Sequence, residues 1–288
     1  MNTFTLDGRS TSEWGIGLSA GGAYDAPARK GESISVPGRN GNIWVDDGSF
    51  ENVMLTYPCW MSEDFDTNID GFRAFLALHA DKYYELRDTY HPGEYRLARY
   101  AGPFMAEPGT RNKSGRMEVV FDCQPQRFFV SGYSWRNIPV PSVDPSQGFA
   151  TLLDEENPSG FKAAPVLMVS ATSAVQETAQ IELSLRNDAQ NRYIYVQVLN
   201  ATPGKFYYID CSDFSIREGD TAEATDWEDF STPEVAKLNL VPRSGSYTDY
   251  TVMLYEGTNT INNRTMPIGS QAYTNLARFS ILTRYWSI

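Results

Sequence analysis

Alternation with a period of two residues constrains this chain more than any other feature, and it is clearest at the end of the stretch SVPGRNGNIWVDDGSFENVMLTYPCW, residues 35–60. Val53, Leu55 and Tyr57 share one face of an extended segment, and Asn52, Met54 and Thr56 share the other. That is the signature of a strand with one dry side. The residues before it are rich in turn chemistry. Pro37-Gly38 suits the centre of a type II turn, where proline presets φ and glycine accepts a positive φ. Asn40-Gly41 suits a type I′ hairpin turn, and Asp47-Gly48 repeats that signal after Ile43-Trp44-Val45. The pattern predicts repeated chain reversal within a β scaffold.

Helical periodicity is strong in one place. Ile69, Phe72, Leu76, His79 and Tyr83, widened by Phe75 and Leu78, predict a helix over about 67–80 behind the cap-rich SEDFDTN. The runs YYELRD and EYRLARYA, joined through His91-Pro92-Gly93, read as a hairpin whose strands offer an edge to a neighbour. Met117, Val119, Phe121 and Cys123 alternate in a further strand. SGYSWRNIPVPSVDPSQG, residues 131–148, is rich in Pro and Ser and marks a linker. Beyond it, APVLMVSA, QIELSLR, RYIYVQVLN, KFYYIDC, VAKLNLV, YTVMLY and ARFSILTRYW read as strands of an antiparallel sandwich. The expected division is therefore a first domain over 1–135, a linker over 136–147 and a β-sandwich over 148–288. The fold class is mainly β, with one main helix and a hairpin in the first half.

A formal net charge of −12 argues against a nucleic-acid binder, because phosphate contacts need a basic face. Three widely spaced cysteines, Cys59, Cys123 and Cys211, and a polar start, MNTFTLDGRS, read as buried thiols in a protein made in a reducing cytoplasm. No apolar run approaches the ~18 residues of a membrane span. The glycosylation-like matches at Asn112, Asn200 and Asn263 have no secretory context.

Catalytic patterns are present but poorly supported. Gly17-Leu18-Ser19-Ala20-Gly21 satisfies G-x-S-x-G, yet a nucleophile elbow needs a strand before the serine and a helix after it, and the flanks suggest neither. The overlapping Gly15-Ile16-Gly17-Leu18-Ser19-Ala20 lacks the β-α context of a dinucleotide loop. His79 falls on the apolar helix stripe and His91 in a turn, and neither has a metal-ligand spacing to a cysteine. Glu63-Asp64-Asp66, Asp154-Glu155-Glu156 and DWEDF around Trp227 could supply the paired carboxylates of a glycosidase, but read better as solvated loops. Trp227, Trp286 and Tyr273 could stack on sugar rings, although aromatics populate cores and interfaces first. No catalytic residue, metal or cofactor is expected.

Taken in order, the motifs resemble the distal tail proteins of long-tailed bacteriophages. FTLDGRSTSEWGI, SVPGRNGNIWVDDGSFENV, FRAFLALH, YYELRD and VVFDCQPQRF resemble the family's first domain. NPSGFKAAPVLMVSA, MLYEGTNTI and the closing Arg284-Tyr285-Trp286 resemble its second, although Ser159 separates the Pro from the Gly. VPRSGSYTDY and the acidic passage SDFSIREGDTAEATDWEDFSTPE depart from it. The resemblance implies a belt domain that closes with copies of itself into a hexameric ring, followed by a galectin-like sandwich. It implies a virion location at the tail tip, after assembly in the host cytoplasm. The implied partners are further copies of the chain, the tail tube protein, a tail-associated hub protein and receptor-binding proteins or fibres, with DNA only in transit and no membrane. The candidate ring contacts are Pro37, Gly38, Arg39, Asn40 and Gly41, with Tyr84, Tyr95 and Tyr100. A carbohydrate-binding adhesin module and an acidic-residue glycoside hydrolase stand as alternatives.

Overall fold

The computed structural model describes residues 1–19, 24–141, 149–171, 179–189, 192–222, 230–242, 252–264, 266–268, 271–273 and 276–288. Ala20 and Gly21 of the G-x-S-x-G match, residues 142–147 of the expected linker, Trp227 and the side chain of Tyr273 lie outside the described residues. The chain is mainly β with a single described α-helix, and it divides into two units, Met1–Val130 with Ile288, and Ser131–Ser287.

The first unit holds β1 (Phe4–Leu6), β2 (Arg9–Ser10), β3 (Ile16–Leu18), β4 (Arg29–Ile34), β5 (Ile43–Phe50), β6 (Val53–Met61), α1 (Phe65–Leu78), β7 (Tyr84–Asp88), β8 (Glu94–Tyr100), β9 (Met105–Pro108) and β10 (Gly115–Phe129). Its main sheet runs in the order β2-β1-β7-β8-β10-β6-β3, with β9 also paired to β10. The alternation read in β6 is real: Val53, Leu55, Tyr57, Cys59 and Met61 are buried while Met54, Thr56 and Trp60 face outward. They join Phe4, Leu6, Val119 and Phe121 in one core, which Trp14, Phe72, Phe75 and Leu76 close from the helix side. Phe4 meets Phe121 edge to face at 5.3 Å, and Trp14 lies 4.9 Å from Phe75. Such ring pairs add to area burial by about 0.5–1.5 kcal/mol each.

The helix begins two residues earlier than the spacing suggests, because Phe65 turns into the core against Gly115. A Cβ at Gly115 would lie only 2.1 Å from the Phe65 ring. Leu78, read as part of the apolar stripe, is exposed. At about 100° per residue it lies about 60° beyond Phe75 and about 120° and 160° from Phe72 and Leu76, past the edge of the buried stripe. Two further expectations need correcting. Asp47-Gly48 does not reverse the chain: it lies within β5, where Arg29 pairs with Phe50 but Gly31 with Asp46, so β5 carries extra residues in a bulge. The β7–β8 hairpin offers no edge, because β7 pairs with β1 and β8 with β10.

The second unit contains β11 (Arg136–Ile138), β12 (Phe149–Asn157), β13 (Val166–Ala171), β14 (Ala179–Asn187), β15 (Arg192–Ala201), β16 (Phe206–Asp210), β17 (Ser215–Gly219), β18 (Lys237–Pro242), β19 (Gly257–Arg264), β20 (Met266–Ile268), β21 (Gln271–Tyr273) and β22 (Leu276–Leu282). Two five-stranded antiparallel sheets, β11-β22-β13-β16-β17 and β12-β19-β14-β15-β18, form a sandwich beside the small β20-β21 pair. One face of the first sheet carries Leu167, Val169, Tyr207, Ile209, Phe279 and Ile281, set side by side by the register and all buried. Ile181, Leu183, Leu185, Val196, Val198 and Ile261 form the buried face of the second. β13 is buried on both sides, since Val166 and Met168 join Tyr208 and Leu282 in a separate cluster.

Here too the sequence reading is corrected in places. Residues 136–138 of the expected linker form β11 and pair with β22. The run YTVMLY is no strand over its described residues: Leu254 makes an isolated bridge to Ala163. Asp154-Glu155-Glu156, read as a loop, lies on β12.

Candidate interaction surface

The strands β4 and β5 form a two-stranded sheet of their own, separate from the main sheet of the first unit. The arm starts where the Glu51 N–H donates to the Ala28 carbonyl at 2.8 Å. Its eight-residue strand extends it by about 27 Å at ~3.4 Å per residue. At the tip, Arg39 N–H donates to the Val36 carbonyl at 3.1 Å, closing the Pro37-Gly38 turn, and Gly38 takes φ 79°. Gly41 takes φ 79° as well, and the Asn42 amide donates to the Ser33 hydroxyl at 2.8 Å. The tip is thus fixed by backbone chemistry that the sequence displays openly. Farther down, Arg29 caps the Phe50 ring at 4.4 Å and approaches Asp46 at 3.6 Å. Ser49 donates its N–H and its hydroxyl to Asp47, which holds that carboxyl below its usual range.

What the arm presents is apolar. Ile34 pairs with Ile43 and Glu32 with Val45, so Ile34, Ile43 and Val45 share one face at 42%, 37% and 49% exposure. Trp44 occupies the other face at 54% exposure, folded across Gly31, where a Cβ would meet its ring at 2.6 Å. An isolated two-stranded hairpin is marginal in water, and a large apolar surface on one marks a contact site. Sequence reasoning treated Ile43-Trp44-Val45 as a short run between turns. The available signal was that both alternate faces of this run are apolar while its neighbours Glu32, Asp46 and Asp47 are charged.

Pro37, Gly38, Arg39, Asn40 and Gly41 all lie at this exposed tip. The three candidate tyrosines lie elsewhere and are engaged within the first unit. Tyr84 packs at a tilt against His79 at 4.4 Å and donates to Asp81 at 2.8 Å; Tyr95 is buried beside Phe128; Tyr100 packs against the core. Tyr95 is buried, whereas Tyr84 and Tyr100 are half-buried.

The residues weighed for catalysis do not converge. Ser19 follows β3, a short buried strand that the polar flanks concealed, but residues 24–28 carry no helix and β4 begins at Arg29. Its carbonyl accepts from the Tyr90 hydroxyl at 2.9 Å. His79 is packed between Phe75 and Tyr84, with Nδ1 2.7 Å from the Phe75 carbonyl, and His91 Nδ1 lies 3.1 Å from Asp88. Asp154 accepts from Thr260 at 2.7 Å while Glu155 pairs with Arg136, so neighbouring carboxylates of β12 serve different partners. Trp286 stacks on Phe161 at 4.5 Å and donates to the Lys162 carbonyl at 3.2 Å, which occupies one ring face. Burial pushes the thiols of Cys59 and Cys123 up to about 12 and that of Cys211 higher still. Among the described residues no group of His, Cys, Asp and Glu could hold a metal, and no helix is long and apolar enough to cross a membrane.

No protein-family model and no curated protein matches this chain. Solved structures do. A chain of the phage P2 baseplate in its activated conformation with Ca aligns over 98% of this chain and 97% of its own, with TM-score 0.45 and 11% identity. The crystal structure of the SPP1 Dit (gp 19.1) protein aligns over 92% of this chain and 98% of that one, with TM-score 0.56 and 12% identity. Across both units, then, this chain has the fold of the SPP1 Dit protein, a hub of the adsorption apparatus in phages that infect Gram-positive hosts.

Proposed function

We propose that this chain is a structural hub of a siphophage tail tip, with no catalytic role. The first unit acts as a belt domain that closes with further copies into a hexameric ring, and the second is a galectin-like module directed at other tip proteins. The observation that carries this reading is the β4–β5 arm, which shows Ile34, Ile43, Trp44 and Val45 to water in a chain whose fold is that of a phage hub. A second copy is the occupant that fits best. A ring is made of identical subunits, and an eight-residue strand outside the main sheet offers backbone groups for pairing with a neighbour. Pro37 to Gly41 then shape the contact at the tip. The tail tube protein and a tail-associated hub bind the ring, receptor-binding proteins or fibres attach beyond it, and DNA passes through its lumen. A net charge of −12 per subunit suits a lining that does not retain phosphates.

Mass photometry and negative-stain imaging of the full chain test this. The expected result is a six-fold ring for the native chain and dissociated protomers for Trp44→Ser. A native chain that stays monomeric, or a Trp44→Ser ring of undiminished stability, would overturn the reading.

A further inference from the structure

Where β8 and β10 run side by side, Arg96 stands directly opposite Arg127. Like charges in that position repel. The register is irregular there: Ala98 pairs with Cys123 and Arg96 with Arg127, so four steps on β10 match two on β8. Arg96 is only 6% exposed, yet neither Nη1 nor Nη2 meets a hydrogen-bond acceptor in the protein. Removing such a group from water costs several kcal/mol unless its donors are satisfied. Burial first, and the charge of Arg127 second, push the pKa of Arg96 down.

Of the two neighbouring carboxylates, Asp88 is committed elsewhere and Glu94 faces Arg127. Asp88 Oδ1 accepts from the Tyr90 and His91 N–H groups, each at 2.9 Å, and lies 3.1 Å from His91 Nδ1. Asp88 Oδ2 accepts from the Tyr57 hydroxyl at 2.8 Å, and Glu94 Oε2 faces Arg127 Nη1 at 3.7 Å, an ion pair without a hydrogen bond. Arg96, Arg127, Tyr57, Asp88, His91 and Glu94 line a cavity of about 20 Å³. One water-sized sphere needs roughly 10–15 Å³, so this space has room for a single small particle.

We propose that this cavity binds one monatomic anion, chloride under ordinary conditions, held by the Nη groups of Arg96 beside Arg127. Each Nη carries two N–H donors, and an anion accepts from both at once. It also offsets the repulsion between the opposed guanidinium groups on the Arg96 side, where Asp88 is bonded to other partners and Glu94 faces Arg127. Those two carboxylates limit the site to a single charge. This inference is independent of ring formation.

Crystals of the full chain grown in sodium bromide provide the direct test. An anomalous bromide peak is expected in the cavity, within hydrogen-bond distance of Arg96 Nη1 or Nη2. In solution, Tm should rise with chloride and saturate, measured against gluconate at matched ionic strength. Arg96→Gln should raise the half-saturating chloride concentration at least tenfold. Water alone in the cavity, or equal Tm in chloride and gluconate, would overturn the proposal. A bromide peak without any chloride dependence of Tm would mark an adventitious ion only, and would also overturn it. The crystallographic arm needs no variant, so it decides the question even where Arg96→Gln does not fold.

Discussion

Replacing Arg284 by Met should destabilise the second unit through one buried carboxylate. Arg284 donates from Nη1 and Nη2 to Asp210 at 2.9 and 3.0 Å, a bidentate pair whose side chains are 20% and 12% exposed. Removing one partner of a buried pair costs about 3–5 kcal/mol, because the other charge is left uncompensated. Asp210 keeps two bonds from Ser212, N–H at 2.9 Å and hydroxyl at 2.6 Å, which places the expected cost at the lower end, about 3 kcal/mol. For a unit of this size that corresponds to a fall in Tm of about 6–12 °C. Met keeps the apolar stem, and any L residue at this position meets the same φ of 53°, so backbone strain is common to both proteins. Calorimetry of the native chain, Arg284→Met, Asp210→Asn and the double variant closes a mutant cycle. A coupling of about 1.5–3 kcal/mol is expected. A coupling below about 0.5 kcal/mol would show that the pair does not hold the end of the chain, and the reasoning would fail.

Burial acts to raise the pKa of Asp122, but bonds from Arg99 Nε at 2.9 Å, the Asn52 amide at 2.8 Å and the Tyr83 hydroxyl at 3.2 Å outweigh it and hold the carboxyl below 3.8. Its contribution is therefore complete above the unfolded value and fades as pH falls through the folded one. The advantage of the native chain over Asp122→Asn in denaturant titrations should be largest near neutrality and shrink below about pH 4; a constant difference contradicts this assignment. A thiol reagent at neutral pH should label none of Cys59, Cys123 and Cys211 in the folded chain and all three in denaturant, since each is buried and burial suppresses its thiolate. Rapid labelling of any one of them under native conditions would show that its strand opens.

Much of the architecture was legible because the dry and wet faces of strands leave a period-two trace. Val53, Leu55 and Tyr57 on β6, and Met117, Val119 and Phe121 on β10, were assigned to one face and are buried on it. The single helix was legible for the same reason, and its ends slipped where tertiary contact decided them, as Phe65 did against Gly115. Position within a sheet was not legible. Alternation says that a strand has two faces and nothing about its neighbours, so β7 and β8 looked like an edge and turned out to be interior. β12 was hidden because its acidic residues resemble a solvated loop, although Leu152 and Asn157 anchor it inward. For the candidate contacts, glycine and proline at 37–41 displayed the tip directly. Tyr84, Tyr95 and Tyr100 lie on β7 and β8, whose place inside the sheet the alternation does not reveal.

The placement of β10 bears on how the first unit is made during synthesis. β10 is its last strand in sequence, fifteen residues long, and it sits between β8 and β6 rather than at a margin. A nascent chain that has emerged only as far as β9 holds β6 and β8 with their facing backbone groups unpaired and the inner rows of both strands open to water. The ladders β2-β1-β7-β8 and β6-β3 can pair separately before then, but the two halves join only when β10 inserts between them. The ordering penalty falls late, and the contacts that offset it span long stretches of sequence, a topology that folds slowly. Until then the growing chain carries two adhesive margins at once, the condition under which partly made β proteins associate with one another. Emergence of residues 115–129, and not the earlier appearance of the helix, completes the sheet order of this unit.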